Sequence, residues 1–378
     1  MTTFVEKKLK NLSESDIQKR IRNQYKHINL HKLKKCIIYG ASKEAEIFIR
    51  KCHKYNILID NVIDDKKRGY LAGYKIYKSL NKKEKKYIPI IICTHRFGMV
   101  WKKLKNSGYN NIIPLWTLQI LEPKKFGCHK YYKNWAREFK QNIRKYSIVE
   151  KIFEENKSKK IWKNFIMFKL TFNPNYLNSI VSYGDDYFPR DLNLHISKQE
   201  IFFDGGGWIG DSVKFFIKKF SKFKKIYTYE PSNKLSEQLK RKFPNSKIII
   251  KNCGMSNNNQ LDHFCDIKDS SSFFTNTKSS ETTKVKTEAI DEMNVKDENV
   301  TIKMNIEGYE KKALLGARKT IKKNNTNLIL ALNDRPQDLT ELPLFILTLG
   351  IKYDYYLRLH DYGVIQLVLY AISKKRKK

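Results

Sequence analysis

Hydrophobic and polar positions change period along the chain, and the changes mark its elements. Residues 1–32 are polar and charged, at spacing that suits short helices, and no function attaches to them. From Leu33 short apolar runs alternate with amphipathic stretches. Cys36, Ile37, Ile38 and Tyr39 read as a buried strand, Gly40, Ala41 and Ser42 as a tight turn, and residues 44–55 as a helix with Ala45, Ile47, Phe48 and Cys52 at helical spacing. Further strands are expected at 61–63, 88–92 and 112–113, with a helix at 100–104. Strands alternating with helices imply a parallel sheet covered on both faces, here a small Rossmann-like domain over residues 33–125. Residues 126–185 form a connector in which Tyr132, Trp135, Phe139, Ile143 and Tyr146 recur every three or four positions, predicting a helix with an aromatic stripe. The strand–helix alternation resumes over residues 186–373. Ile201, Phe202 and Phe203 precede a glycine-rich turn, a helix carrying Val213, Phe216 and Ile217 follows, and a strand is expected at 226–229. Two extended runs, 353–359 and 365–372, joined by His360, Asp361, Tyr362 and Gly363, predict a closing antiparallel hairpin. The Ser/Thr-rich stretch 269–287 reads as a mobile loop, and 374–378 as a solvated basic tail.

Composition narrows the classes. With 378 residues, 41% of them apolar, the chain can bury two cores. The net charge is +37, yet only thirteen of the 75 basic residues are arginine. Planar guanidinium forks are what read bases and phosphates in pairs of bonds, so lysines spread over the whole length do not predict a nucleic-acid partner. The charge does predict salt-sensitive attraction to anionic lipid, nucleotides and acidic sugars. Twelve basic and four acidic residues lie between His129 and Leu170. The striped helix therefore reads either as a surface helix on an anionic membrane or ligand, or as a connector packing its stripe on a neighbour. The second is expected, since such stripes are mostly core. Residues 1–10 lack the apolar run of a secretory signal, and residues 342–349 fall well short of the ~20 a membrane span takes. Six cysteines form no CxxC pair and no cluster with histidine, so neither a metal site nor a disulfide framework is expected. A cytoplasmic chain follows, with peripheral contact at the inner membrane face as the furthest excursion.

Chemistry concentrates after the strand at 201–203, in Asp204, Gly205, Gly206, Gly207, Trp208, Ile209, Gly210, Asp211 and Ser212. Glycines at a strand-to-helix turn let a ligand lie against bare backbone. Glu230, ending the next strand, can accept hydrogen bonds from a ribose diol at the C-terminal edge of a parallel sheet. A dinucleotide would want GxGxxG and a helix start facing its pyrophosphate. Here an acid precedes the turn, which repels pyrophosphate and suits a cofactor bearing an ammonium group, S-adenosylmethionine. The closing hairpin is the topology that sets class I methyltransferases apart from nucleotide dehydrogenases. The smaller domain carries a single glycine at its first turn, Gly40, with Asp64 or Asp65 placed for ribose hydroxyls; a structural or substrate-presenting role is expected of it.

Residues from about 187 to 372 resemble the FkbM-type methyltransferase family. The matching pieces, in order, are YFPRDLNLHISKQEIFFDGGGWIGDS, IYTYEPSNKLSEQLK, IIIKNCGMSN, TIKMNIEGYEKKALLGA, RPQDLTELPLFI and YYLRLHDYGVIQLVLYAI. The smaller domain more loosely resembles modules accompanying sugar-modifying enzymes of surface-polysaccharide clusters. The resemblance implies O-methylation of a sugar or secondary-metabolite hydroxyl by S-adenosylmethionine. It places Asp204, Gly205, Gly206, Gly207, Gly210 and Asp211 at the methionine end, Glu230 and Pro231 at the ribose, and Asn252 and Gly254 near the adenine. Lys303, Asn305 and Glu307 end the fourth strand, where the methyl group faces its acceptor, and Asn305 is placed at the cofactor as well. Three places depart from the family: Asn305 replaces its usual Asp in KxDxEG, Gly207-Trp208 stand in a turn that often reads Ala-Asn, and Asn333-Asp334 lie where related sequences often carry a Tyr-His pair. An amide neither removes a proton nor holds a divalent metal as a carboxylate does.

Candidate bases are Glu307, Asp334, His360 and His263, and residues 269–274 are a candidate lid over the acceptor. The leading expectation is an O-methyltransferase acting on a sugar or glycan-type acceptor, anionic or nucleotide-linked. Its rivals are an RNA methyltransferase, a cofactor-binding scaffold without turnover, and a bifunctional chain whose first domain binds a nucleotide sugar. Against amine methylation, the position after the fourth strand reads NIEG rather than [DNS]PP[YFW].

Overall fold

Both strand–helix patterns fold into parallel sheets. The computed structural model describes residues 2–80, 87–128, 132, 134–184, 187–266, 272–275 and 282–377. The chain forms two units, one comprising Met1–Arg144, Lys160–Val181 and Asp361–Ile365, the other Lys145–Lys159, Ser182–His360 and Gln366–Lys378.

The first unit is built on β1 (Lys35–Tyr39), β2 (Leu58–Ile63), β3 (Tyr70–Leu71), β4 (Tyr74–Tyr77), β5 (Ile90–Ile92) and β6 (Ile112–Pro114), in the order β3-β4-β2-β1-β5-β6. All neighbours are parallel except β3 and β4. That hairpin has no apolar alternation to announce it; its two-residue turn, Ala72 and Gly73, has positive φ at both positions, the twist that joins adjacent strands. The helix Lys43–Lys54 is capped by Ser42, whose hydroxyl accepts from Ala45 N, and buries Ala45, Phe48, Ile49 and Cys52. The aromatic stripe is mostly core: in this unit Tyr132, Trp135 and Phe139 are buried and Ile143 is half-buried, and Tyr146, in the second unit, is buried as well. Lys169, on the helix Asn156–Thr171, points its ammonium at the rings of Tyr132 (4.3 Å) and Trp135 (5.1 Å), and burial pushes its pKa down to about 7.

The second unit carries a seven-stranded sheet of β7 (Glu200–Gly205), β8 (Lys225–Tyr229), β9 (Ile248–Lys251), β14 (Asn299–Met304), β15 (Asn325–Ala331), β16 (Tyr353–Leu359) and β17 (Leu367–Ser373). Its order is β16-β17-β15-β14-β7-β8-β9, with β17 antiparallel to both neighbours and the other pairs parallel. This is the class I methyltransferase arrangement with its closing hairpin. Phe202 of β7 stacks on Phe216 of the helix Asp211–Lys219 at 4.4 Å, at the centre of the apolar layer beneath the sheet.

Two expectations are corrected. The stretch 269–287, read as a mobile loop, contributes two strands, β12 (Phe273–Thr275) and β13 (Thr282–Glu288), which with β10 (Gly254–Met255) and β11 (Gln260–Cys265) form a second sheet in the order β10-β13-β11-β12. Alternating Thr, Val and Lys suits a strand that packs β-branched side chains on one side only. Residues 269–271 of the proposed lid lie outside the described residues. The basic tail is anchored rather than solvated. Arg376 is buried and pairs with the fully buried Glu200 at 2.8 Å, because an acid inside the sheet needs a cation. Among the described residues, no helix is long and apolar enough to cross a membrane.

Candidate active site

β14, β7 and β8 are adjacent and parallel, so the loops leaving their C-terminal ends share one edge. After β7, Gly206 N and Gly207 N both donate to Tyr229 O of β8, at 3.1 and 2.9 Å, and Gly210 N closes the turn onto Gly207 O at 2.7 Å. Gly206 has φ 79°, and Asn305 O lies 2.2 Å from where a Cβ would stand, so the loop after β14 rests on bare backbone. Trp208 is held at φ 42°, a left-handed geometry that non-glycine residues adopt at a cost.

Asp204 is completely buried, and register places it beside Lys303. Ser212 Oγ donates to its Oδ2 at 2.8 Å, and Lys303 Nζ lies 3.0 Å from Oδ1. The same ammonium donates to Gly205 O (3.0 Å) and Gly206 O (3.1 Å) and sits 4.7 Å above the Tyr187 ring. Burial holds the Asp204 carboxyl above its ordinary range despite the pull of Lys303. The acid therefore faces a lysine of its own sheet, and Lys303, a candidate catalytic residue, ties the turn together.

Glu230 has the opposite surroundings. Oε2 accepts from Trp208 N at 2.7 Å and Oε1 from Ser232 N at 2.9 Å. Burial outweighs these bonds, and with Asp266 and Asp204 adding repulsion the carboxyl is pushed up to about 7. Asn252 is exposed and donates to Glu230 O at 3.1 Å and Pro231 O at 3.4 Å. Gly254 opens β10 against the Phe274 ring, which in turn packs 4.8 Å from Tyr309. Asp211 begins its helix, its Oδ1 accepting from Ser212 N at 2.9 Å. All ten candidate cofactor residues from Asp204 to Gly254 thus fall at the ends of β7, β8 and β9.

The acceptor-side candidates separate. Asn305 Nδ2 donates to the hydroxyl of Tyr187 at 2.8 Å, while among the described residues no donor reaches its buried Oδ1. Glu307 follows at φ 56°, partly exposed. Asp334, just beyond β15, is buried and accepts from Asn333 Nδ2 at 2.9 Å. His360 follows β16, three strands from β14 or about 14 Å at ordinary strand spacing. Its Nε2 meets Tyr370 Oη at 2.7 Å and its Nδ1 meets Ser182 O at 3.4 Å, so both ring nitrogens are engaged. His263 sits inside β11, opposite Thr275 and Lys284. Tyr187 and Glu310 carry no role in the sequence reading. Only Glu310 leaves a sequence signal, an acid opening the helix after Gly308. Among the described residues no group of three or more His, Cys, Asp or Glu could hold a metal ion.

In the smaller sheet Asp64 spends its oxygens on Ala41 N, Lys66 N and Lys67 N, each at 2.8 Å. Asp65 accepts from Tyr39 Oη and Lys103 Nζ. Both acids are tied to their own chain.

Residues 204–357 match the family model described as the methyltransferase FkbM domain. Among solved structures, the methyltransferase FkbM from Methylobacillus flagellatus is 19% identical with a TM-score of 0.68, over 94% of this chain and 93% of that one; the likeness is one of fold. An rRNA methylase from Streptococcus thermophilus is 10% identical, with a TM-score of 0.31 over 48% of this chain and 91% of that one. Aeropyrum pernix fibrillarin, solved with natively bound S-adenosyl-L-methionine, is 8% identical, with a TM-score of 0.30 over 48% of this chain and 70% of that one. No curated protein matches the chain.

Proposed function

Residues 204–357 are a methyltransferase FkbM domain, and from that premise we propose that the protein is a S-adenosylmethionine-dependent O-methyltransferase whose acceptor is a sugar or a precursor of a surface polysaccharide. The observation that carries the cofactor is Glu230. Each of its buried oxygens accepts one backbone N–H, which leaves a lone pair on each for further donors. A vicinal diol supplies two such donors side by side, as a ribose does. At the other end Asp204 is already neutralised by Lys303, so Asp211 is the carboxylate that would meet the cofactor's ammonium.

When bound, S-adenosylmethionine supplies an electrophilic methyl group: the acceptor oxygen forms the new C–O bond as the C–S bond breaks, and the hydroxyl proton leaves. Asn305 cannot take that proton. His360 has both nitrogens engaged, and Asp334 is buried with its charge suppressed. His263 lies within β11, opposite Thr275 and Lys284 rather than beyond the end of β14, so Glu307, presented by its left-handed backbone just after β14, is the candidate base we propose. Positioning alone supplies much of the rate of such a displacement. A sugar acceptor is favoured by the NIEG sequence after β14, which lacks the turn of amine methylation, and by a +37 charge that attracts nucleotide-linked or acidic sugars.

The test is calorimetric titration of S-adenosylhomocysteine. Micromolar binding to the wild type, weakened at least about tenfold in Glu230→Ala by loss of charge-assisted hydrogen bonds, is expected. No binding to folded wild type overturns the reading. An acceptor screen with nucleotide sugars, neutral glycosides and RNA then separates the substrate classes by the mass of the product.

A further inference from the structure

Glu310 opens the helix Glu310–Leu315, and none of it reaches solvent. Its Oε1 accepts from Ile306 N at 2.7 Å and its Oε2 from Gly308 N at 3.0 Å. These amides flank Glu307, at φ 56°, and Gly308 itself stands at φ 99°. A loop of that shape belongs to no ladder that would satisfy its amides, so one carboxylate satisfies two of them. Only the ionised form does this well, since glutamine would turn an NH₂ group toward one N–H.

On its other side Glu310 meets Asp334 and Asp338. Asp338 is held by Arg335 through N (2.8 Å), Nε (2.9 Å) and Nη2 (2.6 Å). Glu307 also faces Asp334, and Glu341 faces Asp338 and Arg335. Three buried carboxyls thus share one guanidinium, and like charges at close quarters in a dry site do not all ionise. Among the described residues, no donor reaches Asp334 Oδ2, and the group beside it, Glu310, is itself an acceptor. A proton between them resolves the contact. Burial first, then Glu307 and Glu310, holds the Asp334 carboxyl far above its ordinary range, which puts the proton on Asp334. Glu310, pushed by burial and Asp338 to about 7, is the member that ionises.

We propose that Glu310 is the positioning residue of the acceptor-side loop, fixing Asn305 and Glu307 through the Ile306 and Gly308 amides, with neutral Asp334 donating a hydrogen bond to it. That the loop serves an acceptor rests on the methyltransferase reading; the clamp itself does not. Amide hydrogen exchange at Ile306 and Gly308, corrected for intrinsic rates and followed from pH 5.5 to 9, tests it without cofactor. In the wild type, protection should be high above neutrality and fall as pH drops through about 7. In Glu310→Gln it should be roughly tenfold lower and independent of pH, the scale of one lost hydrogen bond. Asp334→Asn should leave the wild-type midpoint in place, because an amide still donates. A midpoint lowered by about one unit or more would show that Asp334 was charged, and would overturn the proton assignment. Should Glu310→Gln fail to fold, the wild-type profile decides: steady protection through pH 7 overturns the clamp. Failure of S-adenosylhomocysteine to bind the wild type would instead sink the methyltransferase reading and leave these exchange results standing.

Discussion

Two acids end neighbouring strands of the same sheet, Asp204 and Glu230, and in sequence they look alike. Their fates differ because Lys303, ninety-nine residues beyond Asp204, lies directly across from it in the β7–β14 register, while Glu230 is met by backbone amides. A cross-strand partner so far away in sequence leaves no local signal, which is why the cofactor site was legible as a set of loops and not as a set of charges. The consequence for Glu230 is measurable. Its carboxyl sits at about 7 in the fold against 4.5 for an ordinary glutamate, so the folded state binds a proton more tightly than the unfolded one. The stability this gives is fully present below about pH 4.5 and is lost as pH rises through 7, with an upper bound of about 3 kcal/mol. Glu230→Gln removes the charge but turns an NH₂ group toward one of the two N–H donors, a cost that does not change with pH. Urea unfolding of the cofactor-free protein should find its stability relative to wild type rising by about 1–3 kcal/mol from pH 4.5 to pH 8. No such rise would show that the buried charge is compensated in solution.

Elements whose hydrophobic pattern is continuous were readable: β1, β5, β7 and β8 are apolar runs, and the helices beside them show one apolar stripe each. The second sheet was not, because β13 reads TTKVKTE, with Val285 its one apolar residue, and only pairing with β11 reveals it as a strand. The glycine turn after β7 lies between these cases. Its glycines were visible, but their reason was read as room for a ligand, whereas Gly206 is pressed by Asn305 O of the chain itself. This distinction predicts a contrast between two glycines of similar φ. Gly206→Ala drives a Cβ to 2.2 Å from a carbonyl oxygen, while Gly73→Ala, at φ 86°, meets nothing within 4 Å. The first should cost more than about 3 kcal/mol, by forcing the β7 and β14 loops apart, and the second about 1 kcal/mol of backbone strain. Chemical denaturation of the two variants checks this, and equal losses would mean that the β14 loop yields without resistance.

Over the whole chain, a net charge of +37 means that cations repel one another almost everywhere, and a buried carboxylate is a rare place where one of them is drawn in. The last residues use that opportunity. Among the lysines at 374–378, Arg376 alone carries a fork, and it pairs with Glu200 through two nitrogens at 3.1 and 2.8 Å. It also donates to Asn325 O (2.7 Å), Val300 O (2.7 Å) and His195 O (3.3 Å), so one guanidinium links the beginnings of β7, β14 and β15. In sequence this segment is indistinguishable from a solvated tail, because composition reports charge and says nothing of which side chain is buried. Removing residues 374–378 strands Glu200 inside the sheet, with Thr301 Oγ1 and Ser197 N as its remaining partners among the described residues. The truncated protein should lose about 3–5 kcal/mol, the cost of breaking a buried pair from one side. Adding Glu200→Gln to the truncation should recover much of that loss, since the uncompensated charge disappears with it. Arg376→Lys in the full chain should be intermediate, because a point cation cannot serve both the carboxylate and the carbonyls. Thermal unfolding of the four proteins at one salt concentration orders them, and a truncation as stable as the wild type would return the tail to solvent.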